Sequence, residues 1–298
     1  MCYGTNPLGA LFLYEDGINA NSVLFYRFAL AVVMLGLLMA VKGKSLLVSG
    51  KELALLAVLG VVFSTSSMSL YFSFCFMDAG IASTLLFVYP VMVAVIMAVL
   101  FKERLSAAAL FAIVLALVGI ALLYNGDGGV RLSTAGVLLV MLSSLSYAIY
   151  IVVVNKSPLR ISSLKLTFYV LFFGMLTILA NSFVSGIHIQ MLTTPRMWLC
   201  AFMLALLPTV FSLVLMVIAV HEIGSTPTAV MGALEPLTAV VIGVTVFGEQ
   251  LTARLSVGIV LILLAVMIIV AGKSFSPARV IHVVSYLGHV ISKTWRWK

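Results

Sequence analysis

The chain has 298 residues, of which 63% are hydrophobic and only 9% charged, with a formal net charge of +8. Its mean hydropathy is +1.26, whereas a soluble domain carries about 25% charged residues, so a water-facing globular surface is excluded. The surplus Lys and Arg lie in short loops and one tail, a pattern of membrane topology that sets aside nucleic acid as a partner.

A helix needs about 20 apolar residues to cross a hydrocarbon core of roughly 30 Å, and such stretches recur along the chain. The first, Met1–Leu13, would reach only about 20 Å and lacks the charged start and cleavage site of a signal peptide. It reads as the second half of a span whose beginning lies outside the sequence. Nine further spans follow: Val23–Val41, Leu53–Met77, Ile81–Phe101, Ala107–Tyr124, Ala135–Val154, Leu164–Val184, Trp198–Val220, Thr226–Phe247 and Leu255–Gly272. The predicted fold is therefore an all-α polytopic membrane protein of ten transmembrane helices, the first truncated. The tail from 273 to 298 carries Val280, Val283, Val284, Leu287, Val290 and Ile291 on one helical stripe. His282, Ser285, Lys293 and Arg296 lie opposite, and Trp295 and Trp297 end it. That predicts an amphipathic helix on the cytoplasmic leaflet, attracted by anionic lipid; a disordered tail is the alternative. Cys2, Cys75 and Cys200 lie in apolar stretches without metal or disulfide spacing.

Orientation follows from the basic residues. The loops at 42–51, 102–104 and 155–165 and the tail after Gly272 hold 13 Lys and Arg. The opposite side holds four: Arg27, Arg131, Arg196 and Arg254. The positive-inside rule then places both termini in the cytoplasm of a cell that inserts the chain in its plasma or inner membrane.

The sequence also repeats. A shift of 146 positions carries Pro90 onto Pro236, Val95 onto Val241, Phe101 onto Phe247, Glu103 onto Glu249 and Gly126 onto Gly272. Pro, Glu and Gly are scarce enough here for those matches to count. The halves, 1–126 and 127–272, hold five spans each, an odd number, so they are expected to be inverted relative to each other. Inverted repeats are a recurring construction of secondary transporters, with the substrate site near mid-membrane at the repeat interface.

The motifs Tyr3-Gly4-Thr5-Asn6-Pro7, Tyr89-Pro90 followed by Phe101-Lys102-Glu103-Arg104-Leu105, and Leu234-Glu235-Pro236-Leu237 followed by Phe247-Gly248-Glu249-Gln250-Leu251 resemble those of the EamA-type family of the drug/metabolite transporter superfamily. Arg27 opening the second helix belongs to the same resemblance, which covers about Met1 to Gly272. It implies ten helices, cytoplasmic termini and a central cavity lined by helices one, three, four, six, eight and nine. It also implies export of amino acids, related metabolites or toxic compounds.

Candidate site residues are those too polar for lipid. Glu235 lies about ten residues from either end of its span, where an ionisable group costs several kcal/mol unless neutral, paired or wet. It is expected to contact a substrate amine or couple protons. The alternative is a protonated carboxyl bonded to a carbonyl freed by a proline. Glu103 and Glu249 end their spans and are expected to cap or pair at helix ends. Arg27 is expected to snorkel or bond a carbonyl at the outer end of its helix, with attraction of an anionic group as the other reading. Ser66 and Ser67 in the third span, and Ser143, Tyr147 and Tyr150 on one face of the sixth, join Thr5, Asn6, Tyr89 and Ser212 in a predicted cavity lining. Hydroxyls bonded back to their own helix, or small residues at helix contacts, are the plainer alternative. A lining of hydroxyls and aromatic rings, with no Lys or Arg pair directed inward, suits zwitterionic or amphipathic solutes. Pro7, Pro90, Pro208 and Pro236 fall inside spans and predict kinks or hinges.

The expected function is secondary-active transport, export of a small metabolite such as an amino acid by alternating access, with no cofactor and no metal. A multidrug efflux pump is the nearest alternative, and a non-transporting receptor or assembly subunit the one from another class. No GKS/T phosphate loop is present and the four histidines are scattered, so neither an ATP-driven pump nor an enzyme is expected. The oligomeric state is open, with a monomer slightly favoured.

Overall fold

The computed structural model describes residues 2–102, 106–124, 133–157, 161–212, 215, 234–249 and 252–274. Every regular element among them is a helix. A 3-10 turn (Cys2–Thr5) leads into α1 (Asn6–Glu15), and α2 (Ala20–Val41) and α3 (Gly50–Ser73) follow. The fourth apolar stretch is divided into α4 (Ala79–Leu86) and α5 (Tyr89–Phe101). Then come α6 (Ala107–Tyr124), α7 (Thr134–Lys156), α8 (Ser163–Ser185) and α9 (Pro195–Ala205), which runs on through a π-helical turn (Leu206–Phe211). α10 (Leu234–Phe247) and α11 (Ala253–Ser274) complete the described chain. Glu103, Arg131, the first part of the predicted ninth span and the tail Ala278–Lys298 lie outside the described residues.

Six stretches among the described residues are long and apolar enough to cross a bilayer: Ala20–Val41, Gly50–Ser73, Ala79–Phe101, Thr134–Lys156, Ser163–Ser185 and Ala253–Val270. Ala107–Leu122, Pro195–Phe211 and Glu235–Phe247 are shorter apolar helices. Their outward faces carry large apolar side chains, Leu37, Phe111, Val114, Leu117, Val257 and Val260 among them, each more than half exposed. A soluble protein does not present so continuous an apolar surface to water. The chain is an all-helical, multi-pass membrane protein.

Polar residues mark where the apolar runs begin. The Asn19 side chain accepts from the Ser22 amide at 2.8 Å to start α2. Ser49 and Glu52 form a reciprocal capping box at α3, the Ser49 amide donating to Glu52 Oε2 at 2.9 Å. Ser162 starts α8, and Thr194, followed by Pro195, starts α9. α8 ends on Gly186 at φ +69°, a left-handed position where a side chain is strained. The loop beyond it is tied to the α1–α2 turn by Gln190, whose amide donates to Ser22 Oγ at 2.8 Å and whose side chain donates to the Gly17 carbonyl at 3.2 Å.

In the bundle, α3 lies between α7 and α8, α2 packs on α8, α4 on α10, and α1 on α9. The closest pairing joins α6 to α11. There a Cβ on Gly119 would stand 2.9 Å from the Gly258 carbonyl and 2.7 Å from Ile262 Cγ1. Gly36 differs, since a Cβ there would meet Phe168 Cε2 at 3.4 Å, an ordinary contact. Gly119→Ala is therefore expected to lower the melting midpoint of the purified protein, by about 1–3 kcal/mol of overpacking. Gly36→Ala should leave it unchanged or raise it. Equal midpoints for the two variants, read by fluorescence-detected size exclusion after heating, would contradict this account of the α6–α11 contact.

Candidate functional site

Arg27 departs most from the sequence expectation. It is the eighth residue of α2, about 10 Å along the axis from Ala20. It is 2% exposed, so it does not snorkel, and its partners are hydroxyls rather than a carbonyl. Its Nε donates to Thr209 Oγ1 and its Nη1 to the Tyr71 hydroxyl, both at 3.0 Å. A third hydroxyl, that of Tyr3, also bonds it. The Tyr3, Phe28 and Tyr71 rings surround the guanidinium, with centroids 5.7, 5.8 and 5.5 Å from its central carbon. The Tyr71 hydroxyl passes the chain on to Asn6 Oδ1 at 3.3 Å. One cation thus joins α1, α2, α3 and the π-helical turn, and it does so through neutral oxygens. The ion pairs seen among the described residues are those of Arg196 with Glu15 and Asp16, at 3.8 and 3.6 Å.

Glu235 is the second residue of α10 and half-buried. Arg27, Tyr3, Tyr89 and Tyr147 all lie within Coulombic reach of it. The first helical segment comes close because of a glycine: a Cβ on Gly4 would strike the Glu235 carbonyl oxygen and stand 2.7 Å from Thr238 Cβ. Tyr89, Tyr147 and Tyr150 form one aromatic strip, Tyr89 edge-on to Tyr147 at 4.7 Å and Tyr147 stacked on Tyr150 at 5.9 Å. Phe63 of α3 closes it, 5.3 Å from Tyr150. The structure therefore brings Asn6, Tyr89, Tyr147, Tyr150 and Glu235 around one polar centre, beside Arg27. Thr5 and Ser212 are half-buried and Ser67 is buried.

Two breaks in the helices flank this centre, and each follows from a proline. Pro90 has no amide hydrogen, so the Leu86 carbonyl four residues earlier loses its helical donor. The chain turns at Phe87–Val88, and Ser144 of α7 supplies the missing donor, its hydroxyl 3.2 Å from the Leu86 carbonyl and 3.3 Å from that of Leu85. The predicted continuous span Ile81–Phe101 is interrupted for this reason. Pro208 strips the Leu204 carbonyl in the same way. The Thr209 hydroxyl replaces the bond at 3.4 Å while the helix loosens into its π-helical turn. Pro7 likewise stands second in its helix, α1, directly after the 3-10 turn.

The serines sort by geometry. Ser66 and Ser143 clasp α3 to α7: Ser66 Oγ donates to the Ser143 carbonyl at 2.9 Å and Ser143 Oγ to the Ser66 carbonyl at 2.7 Å. Ser64 bonds back to Val61. A cavity of about 380 Å³ opens elsewhere, between α3, α5 and α7, lined by apolar side chains with Lys156 at its edge; no predicted site residue lines it. Among the described residues, no three His, Cys, Asp or Glu side chains come together to hold a metal ion.

Glu249 caps a helix far away in sequence. Its carboxylate accepts from the Ala79 amide at 2.8 Å and the Gly80 amide at 3.1 Å, joining the end of α10 to the start of α4. Gly80 and Gly243 leave room for it, since a Cβ at either would collide with the carboxylate. Burial, and after it the neighbouring Asp78, push the Glu249 carboxyl up from 4.5 to about 6, against the pull of the two amides.

Two expectations follow. Ser66→Ala and Ser143→Ala should each cost about 1 kcal/mol of stability, and the double variant less than their sum, because they share one clasp. Neither should change ligand selectivity, whereas Tyr147→Phe should; a selectivity change in the serine variants would return them to the binding surface. For Glu249, a carboxyl whose value is higher in the folded chain holds its proton more tightly there. Its stabilising contribution is complete below about 4.5 and lost as pH climbs through about 6. The wild-type melting midpoint minus that of Glu249→Gln should therefore fall between pH 4.5 and about 7. A difference that rises over that interval would show the carboxylate, not the acid, to be the favoured folded form.

The description of the EamA-like transporter family matches residues 1–125 and 134–271. An uncharacterized transporter of Archaeoglobus fulgidus is 29% identical over 191 residues, 64% of this chain and 67% of that protein. One of Clostridium kluyveri is 23% identical over 273 residues, 88% of this chain and 87% of that protein. A solved crystal structure with 15% identity superposes with a TM-score of 0.57 over 90% of this chain and 94% of its own, which supports the fold alone. With the family description covering residues on either side of 126–133, the chain belongs to the EamA-like transporter family and is a membrane transporter rather than an enzyme.

Proposed function

We propose that the protein is a secondary-active exporter of a small zwitterionic or amphipathic metabolite, an amino acid or a close relative. It works by alternating access in the plasma or inner membrane, with both termini cytoplasmic. One observation carries the reading: Arg27, Asn6, Tyr89, Tyr147, Tyr150 and Glu235 meet at one polar centre inside a bundle whose surface is otherwise apolar. Ionisable groups buried in a membrane bundle mark substrate or ion pathways. The broken fourth stretch and the π-helical turn lie beside that centre, where discontinuous helices border transporter sites. Ten helices in two inverted repeats, 1–126 and 127–272, give this arrangement its simplest explanation. Thr5, Ser67 and Ser212 complete the proposed wall, and Pro90, Pro208 and Pro236 the flexing points. Anionic lipid at the tail belongs to the same reading.

The aromatic strip beside Glu235 also fits lipophilic cations, so multidrug efflux is the second reading. The test is mass-spectrometric profiling of medium from cells expressing the wild type, Glu235→Gln, or an empty vector. Wild-type cells should accumulate one metabolite class outside at several times the vector level. Glu235→Gln should lose most of that accumulation and its dependence on external pH. An unchanged profile, with protein verified in the membrane, argues against metabolite export. Export by Glu235→Gln with its full pH dependence argues against proton coupling at that residue.

A further inference from the structure

We propose that Arg27 is the carboxylate-binding group of the transported solute, so that the site is bipolar: guanidinium at one pole, Glu235 at the other. The inference rests on the transporter reading above and narrows its substrate class to compounds bearing both a carboxylate and an ammonium group.

The argument begins with charge. A guanidinium stays protonated under all physiological conditions and carries five N–H donors in a rigid fork. Buried in hydrocarbon without an anion, it is among the costliest groups a membrane protein holds. Arg27 is 2% exposed, and its hydrogen-bond acceptors are the hydroxyls of Thr209, Tyr71 and Tyr3, all neutral. If its task were only to tie helices together, a neutral Gln or Tyr would do so without the charge. Hydroxyls orient the cation but leave its charge uncompensated, a state that a carboxylate relieves on binding.

Geometry makes the group ready to receive one. Nε and Nη1 are fixed from two different elements, Thr209 in the π-helical turn and Tyr71 in α3, while three aromatic rings hold the plane. Both hydroxyls are themselves anchored, Thr209 on the Leu204 carbonyl and Tyr71 on Asn6. A fork held on several sides binds a planar anion without first losing side-chain freedom. The π-helical turn exists because Pro208 sits there, so the same break that loosens the helix also presents Thr209 to the cation.

The opposite pole supplies the complement. Glu235 is close enough to Arg27 for the charges to interact, yet the two form no ion pair. A direct pair would neutralise both and leave a site for neutral molecules. Not paired with each other, a base and an acid that share one centre offer a partner to each charge of a zwitterion. The uncompensated cation also disfavours lipophilic cations, the substrates of the rival reading, by like-charge repulsion at short range. Helix two is not among the cavity-lining helices that the family resemblance implies, so this residue adds a wall.

The test uses the full chain in proteoliposomes loaded with an equimolar mixture of the twenty L-amino acids, or with the matching C-terminal amides. Efflux is read by mass spectrometry against protein-free vesicles. Wild type should release at least one amino acid tenfold or more faster than its amide. Arg27→Gln should abolish that discrimination, the acid slowed and the cationic amide hastened as the repelling charge is removed; merely structural damage would lower both rates together. Arg27→Lys, which keeps the charge but not the fork, should fall between. Should Arg27→Gln fail to fold, the wild-type comparison and Arg27→Lys still decide. Equal wild-type efflux of acids and amides overturns the carboxylate assignment and leaves the transporter reading standing. So does undiminished discrimination in folded Arg27→Gln. No efflux of either mixture above protein-free vesicles overturns both.

Discussion

Inside hydrocarbon no water is at hand to satisfy a polar group, so each one a helix frees must find its partner within the protein. Much of the architecture of this transporter answers that constraint. Pro90 frees the Leu86 carbonyl, and Ser144 of α7 reaches across to take it. Pro208 frees the Leu204 carbonyl, and Thr209 takes it while accepting from Arg27. The breaks that give the bundle its irregular centre are thus also the points where its helices are tied together. A substitution at Ser144 or Thr209 acts on a neighbouring segment through a bond that the sequence does not advertise.

The same constraint separates polar residues that hold the walls from those that face the interior. Ser66 and Ser143 use each other's backbone and are fully engaged. Tyr89, Tyr147 and Tyr150 contact one another ring to ring and are only half-buried. Arg27 is a third kind: bonded on several sides, yet carrying a charge that hydrogen bonds to hydroxyls orient without neutralising.

Much of this was legible from the chain alone, for physical reasons. Spans such as Ala20–Val41 and Gly50–Ser73 declare themselves because hydrocarbon demands length and apolarity together, and both are properties of one segment. Glu235 stood out by scarcity, and the structure seats it by the aromatic strip. What stayed hidden needed a partner distant in sequence. Counting from the helix end placed Arg27 near an interface; only Tyr71 and Thr209, 44 and 182 residues away, reveal it as buried. Ser144 was one serine among several. Its signal was the proline rule that position 90 orphans the carbonyl of position 86, but the donor's identity depends on how α7 packs. Glu249 was expected to cap a helix, and it does, though the helix is α4, 170 residues away from it.

The Ser66–Ser143 clasp has a mechanical consequence. It joins the last third of α3 to the middle of α7, and its four atoms exchange two bonds within 3 Å. For two bodies that rock against each other, displacement grows with distance from the fulcrum, so a short, doubly bonded contact survives only where the lever arm is small. In the alternating access proposed above, the clasp would mark where the axis of the motion passes. On that proposal, lengthening either side chain there changes the angle of swing before it changes anything the transporter binds.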